Sequence, residues 1–161
     1  MKSLYPFSQF IVLFLSCLSL SCTHITSVRH HVLRLKPQQE VFESLRQYLE
    51  EQHLEAAYVA AAVGSLTQVE WRKANAPGLS LSQGHFEVVS LQGTLSQHGG
   101  SHLHIAFSDE NGQTWGGHLG KASYVYTTLE IVIVELLELQ FTRKLDSSYG
   151  YHELCVEKKA P

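Results

Sequence analysis

Strand-length apolar runs broken by clusters of Gly, Asn, Pro and Ser recur along most of this chain, and a single segment carries a helical stripe. That rhythm is the strongest constraint on the fold, because runs of strand length bounded by turn residues read as β-strands. Strands are expected at Val28–Leu35, Ala56–Val63, Val69–Lys73, Phe86–Leu91, Ser101–Ser108, Thr114–Leu119, Leu129–Leu137 and His152–Glu157. Val41, Phe42, Leu45, Tyr48 and Leu49 recur with helical spacing, so they share one stripe, and Glu43, Arg46, Gln47 and Glu50 form the solvated side. Pro37 suits the first turn of this helix. One principal amphipathic helix among many strands predicts an α+β fold with a mainly antiparallel sheet, not a doubly wound one. The run Leu129–Leu137 is apolar enough to be either a subunit contact or a fully buried central strand.

Residues 1–22 read as an export signal. Lys2 is their only charge; an apolar run from Phe10 to Leu15 follows, then Ser19-Leu20-Ser21-Cys22 with small side chains for a signal peptidase. Cys22 at the boundary is the residue that a bacterial lipoprotein would acylate, although Ser19 stands where such signals carry Leu. The expected organisation is a signal peptide at 1–22, a linker at 23–27 and one domain at 28–157. The destination is then the periplasm or a membrane surface reached through a lipid anchor, or the cytoplasm if translation starts elsewhere. With the signal removed, 139 of 161 residues remain, which is one domain able to bury its own core. Losing Lys2 leaves 11 Lys+Arg against 15 Asp+Glu, a net charge of −4 without any basic run, which disfavours a nucleic-acid partner. No disulfide framework is expected: Cys17 leaves with the signal, and Cys155 pairs with Cys22 only if the latter is unmodified.

The chemistry concentrates in Ser101–Leu119. His102 and His104 share one strand face, while Leu103, Ile105 and Phe107 share the other. A three-residue loop, Glu110-Asn111-Gly112, would pair Asp109 with Gln113, Phe107 with Trp115 and His104 with His118. A two-residue Asn-Gly turn would shift the register by one and scatter the apolar set across both faces. The hydrophobic pattern favours the first. Three imidazoles on two adjacent strands suit a divalent metal, zinc first, because three protein ligands leave one position open. Gly116 and Gly117 would leave room around the ion, and Glu130 would supply an oxygen ligand. The competing reading is a polar sheet face or a subunit contact.

The same residues carry a family resemblance. Gly64-Ser65-Leu66, Gly84-His85-Phe86-Glu87-Val88-Val89-Ser90-Leu91-Gln92-Gly93, His102-Leu103-His104, Gly116-Gly117-His118 and Tyr126-Thr127-Thr128-Leu129-Glu130 come in the order seen in the plants and prokaryotes conserved (PPC) domain. The chain resembles the stand-alone bacterial type from about Val28 to Glu157. The resemblance implies an antiparallel sheet with one main helix, assembled as a homotrimer. It also implies a fold shared with acetolactate decarboxylase, whose zinc sits on an H-x-H pair and a later His, the arrangement of His102, His104 and His118 here. Family members are commonly labelled DNA-binding. This chain has no Arg-Gly-Arg AT-hook, and it has His85 where the family's Gly-x-Phe-Glu motif often has Arg.

Two function classes follow. One is an exported, homotrimeric module binding a metal or small polar ligand, with a metal-dependent lyase-like activity as the first enzyme class to consider. The other is a cytoplasmic DNA-binding or regulatory protein. A serine hydrolase is disfavoured: no Gly-x-Ser-x-Gly occurs, and Ser65 after Gly64 reads as a strand-end turn.

Overall fold

A computed structural model describes residues 27–159; the signal segment, Cys22 and residues 23–26 of the expected linker lie outside the described residues. The order is β1 (Val28–Leu35), α1 (Val41–Glu51), β2 (Ala57–Arg72), β3 (Ser80–Leu95), β4 (His102–Ser108), β5 (Thr114–Leu119), β6 (Tyr124–Leu136), β7 (Leu139–Asp146) and β8 (Tyr151–Lys158). Six strands form one sheet in the order β1-β6-β2-β3-β4-β5, all antiparallel. β5 also returns to β2, pairing Trp71 with Leu119 and Arg72 with His118. β2, β3, β4 and β5 therefore close into a ring at one end, and closure leaves no free edge there. The hairpin β7–β8 makes a separate two-stranded sheet.

The helix forms where the apolar stripe placed it, burying Val41, Leu45 and Leu49, but it begins at Val41, so Pro37 lies in the turn before the cap and not in the first helical turn. Glu40 caps its N-terminus: the carboxylate accepts from the backbone N–H groups of Phe42 and Glu43, which an α-helix leaves without internal partners. The helix entry is tied to the start of β6 by Val41 N–H donating to the Ser123 carbonyl at 2.9 Å. The core occupies the sheet face that carries Leu103, Ile105 and Phe107, all buried, while their neighbours His102 and His104 stay exposed. Phe107 meets Trp71 and Phe86 edge-to-face, with ring centres at 5.5 and 5.2 Å.

Several expectations need revision. The runs Ala56–Val63 and Val69–Lys73 belong to one long strand, β2, which passes through Gly64 and Ser65 with register shifts. Ser65 is thus no strand-end turn; its hydroxyl bonds the Thr127 hydroxyl at 2.8 Å. β6 lies between β1 and β2 and buries Leu129, Ile131, Ile133 and Val134 inside one subunit, so its apolarity reports a central strand. β7 was not anticipated, because only Leu139 and Phe141 of its residues are buried and the alternation gives way to Arg143-Lys144. Cys155, which between Leu154 and Val156 reads as a small core residue, is only half-buried on β8.

Candidate metal centre

The tight turn after β4 fixes the site. Asp109 N–H donates to the Gln113 carbonyl at 3.0 Å, Gly112 N–H donates to the Asp109 carbonyl at 3.0 Å, and Gly112 has φ +76°. Phe107 then faces Trp115 and His104 faces His118, the register that keeps the apolar set on one side. Because β5 also pairs with β2, a cross-strand row runs Gln92, His104, His118, Arg72 over four strands. His102, one pleat further along β4, lies opposite Thr94.

The three imidazoles meet. His102 Nε2 lies 3.1 Å from His118 Nδ1 with the two rings nearly parallel, and His104 has its ring centre 4.4 Å from that of His118 and 5.1 Å from that of His102. One nitrogen from each lies within 4.8 Å of the others. Three nitrogens held tetrahedrally around zinc sit roughly 3.4 Å apart. His102 and His104 are exposed and His118 is half-buried, so the rings have room to turn toward that spacing. The donors are also chemically suited: partial desolvation by neighbouring groups lowers the pKa of His102 and His118, although His102 keeps a solvent-exposed edge, with the Arg143 charge adding to the effect at His102 and the Arg72 charge at His118. Both therefore stay neutral, the form that ligates, below the usual value near 6.5.

That shift sets the expected pH dependence. A lowered folded-state pKa means protons compete with the metal for these two rings only at more acid pH than for free histidine. Zinc affinity should hold steady above about pH 7 and fall as the pH drops through the ordinary histidine range near about 6.5, with His102 and His118 the later two to take up protons. Titration of zinc against a competing chelator across that range checks it, and a loss beginning above pH 7 would contradict it.

Glu130 does not join the histidines. It is exposed on β6, opposite Arg34 and Val63, and β2 and β3 intervene between its strand and β4. Gly116 and Gly117 also serve a different purpose from the one expected. A Cβ at Gly117 would lie 2.2 Å from the Arg72 carbonyl oxygen, so glycine there permits β5 to approach β2. His85, where the family often has Arg, stacks on Tyr126 with ring centres at 4.1 Å. What the sequence reading missed is Arg72, Arg143, Tyr151 and His152, which line one pocket with His102 and His118. The pairs Arg72-Lys73 and Arg143-Lys144 are too short to count as a basic run, and Arg72 and His152 entered only as members of the expected strands Val69–Lys73 and His152–Glu157.

An α+β domain with an antiparallel sheet, one helix and a three-histidine cluster on a hairpin defines the class. The sequence profile of the Plants and Prokaryotes Conserved domain matches residues 23–137, and the chain belongs to that family. Over 134 residues, 83% of the chain, it is 42% identical to the bifunctional protein GlmU of Synechococcus sp. (strain JA-3-3Ab). The match covers 21% of that protein, so the chain spans about a fifth of the length of the curated relatives it matches. A hypothetical protein from Salmonella enterica has a solved structure that superimposes with a TM-score of 0.83 at 42% identity, covering 85% of this chain and 99% of that one. A metal-containing protein from Archaeoglobus fulgidus shares the fold at 21% identity, with a TM-score of 0.64 over 79% of this chain and 93% of that one. A protein from Bacteroides thetaiotaomicron with a provisional DNA-binding description shares it at 16% identity, with a TM-score of 0.68 over 82% and 98%.

Proposed function

We propose that the chain is an exported homotrimeric module that holds one divalent metal ion, zinc first, on His102, His104 and His118 and offers the open position to a small polar ligand. The observation that carries the reading is the convergence of three imidazoles within 4.8 Å. Water completes the shell, since Glu130 lies elsewhere in the sheet. The metal-containing relative from Archaeoglobus fulgidus supports the choice of cofactor. A lyase-like reaction on a metal-bound oxygen compound is the first activity to assay. Cobalt substitution tests the centre: three imidazoles and an open position should give the intense visible absorption of a four-coordinate ion. Only the weak spectrum of a six-coordinate aqua ion would overturn it.

Export rests on the signal-like residues 1–22, and trimerisation on the family resemblance together with exposed apolar side chains on the sheet, Val32, Val63 and Val89 among them. Membrane attachment rests on acylation of Cys22; among the described residues no helix is long and apolar enough to cross a membrane. Cell fractionation with light scattering on the recovered protein tests these points. The full chain is expected outside the cytoplasm at three times the mass of one subunit, with membrane association lost in Cys22→Ala. A monomer left in the cytoplasm would overturn both claims and return the DNA-binding reading to favour, although the acidic net charge opposes it.

A further inference from the structure

The β7–β8 hairpin, residues 139–158, lies beyond the part of the chain that matches the family profile, yet it is built into the metal centre's surroundings. It docks through Phe141, whose N–H donates to the Glu55 carbonyl at 2.9 Å and whose carbonyl accepts from the Ser96 hydroxyl at 2.9 Å. The docked hairpin raises one wall of a pocket of about 780 Å³, whose floor holds His102 and His118. That volume falls in the range of small-molecule sites.

The lining defines the ligand. Arg143 on β7 and Arg72 on β2 both face the pocket, against one carboxylate, Glu153. Arg143 is held in place: Nη2 donates to the Thr94 hydroxyl at 3.2 Å and Nη1 to the His152 carbonyl at 3.4 Å. Thr94 is the residue opposite His102, so the guanidinium is anchored beside a metal-ligand candidate. Arg72 stands directly opposite His118. Three neutral imidazoles leave both charges of a divalent ion uncompensated, and two guanidiniums add to them. Such a field selects an anion, and a guanidinium pairs best with a planar carboxylate. Ala76, Pro77 and Tyr151 supply surface for a carbon skeleton.

We infer that this pocket takes a small organic carboxylate with a second oxygen donor, its carboxylate on Arg143 and Arg72 and its other oxygen on the ion held by the histidines. The inference rests on the metal reading above and names the ligand class for that site.

Oxalate is the probe, added to the cobalt-loaded full chain and followed by the visible spectrum, with imidazole as a neutral ligand that needs the metal but no arginine. Oxalate is expected to saturate the wild-type signal at millimolar concentration or below. Arg143→Ala and Arg72→Ala should each weaken oxalate at least tenfold while leaving imidazole binding unchanged. If Arg143→Ala loses the metal, Arg143→Lys decides, and there too oxalate should weaken while imidazole does not. A wild type that takes up cobalt but does not respond to oxalate, or variants that bind oxalate as it does, would overturn this inference alone. A wild type that takes up no cobalt would overturn the metal reading and this one with it.

Discussion

Replacing His104 with alanine is expected to weaken zinc binding by at least about a hundredfold. Loss of an outer partner to a metal ligand already costs roughly 10- to 100-fold, and loss of the ligand itself costs more. His104 is the central member of the row, opposite His118 on the next strand and one pleat from His102. Its side chain is exposed, so removing it opens no cavity, and stability of the metal-free protein should stay within about 0.5 kcal/mol of wild type. The two readouts separate a ligand from a structural residue. Zinc affinity unchanged in His104→Ala would assign the cluster to an ordinary polar sheet face.

Gly117→Ala is expected to be strongly destabilising. The added methyl would sit 2.2 Å from the Arg72 carbonyl oxygen and 2.9 Å from its carbon, both backbone atoms that cannot swing aside. β5 would have to leave β2, opening the ring at the point where Arg72 and His118 pair. Overpacking in a core typically costs about 1–3 kcal/mol even where side chains can yield. Against backbone the cost should reach at least about 3 kcal/mol, a large share of a domain's total stability. Metal binding should fall with it, because His118 moves with β5. Gly78→Ala is the control, since a Cβ there meets nothing within 4 Å. Urea unfolding of the pair tests the claim, and equal midpoints would refute it.

How much of this was legible in the sequence depends on which level of pattern carried the information. The His104–His118 pairing was readable because period-two alternation and turn chemistry both act locally: Leu103, Ile105 and Phe107 admit only one register once Gly112 takes the turn's positive φ. The helix was readable for the same reason, from a stripe of five apolar residues. Strand extent was not. β2 and β3 each run 16 residues, and their polar stretches pair with each other across the hairpin, Gln68 with Gln83 and Val69 with Ser82, beside a register shift that no local alternation announces. Glu130 failed as a ligand because strand order decides which residues meet, and no local pattern told that β6 would pair with β1 and β2 instead of β4. Arg143 was hidden for the opposite reason. Its segment was assigned no element, and the docking of the hairpin through Phe141 brings it beside His102.

The account stands or falls on whether the three histidines hold an ion. The most direct measurement is zinc per chain in untagged full-length protein, produced with zinc supplied and then freed of loosely bound metal by desalting. One zinc per chain is expected, removable by a strong chelator and restored on adding zinc back. A content well below one per chain after that supplementation would contradict it, and His102, His104 and His118 would then be a polar face of the sheet and nothing more.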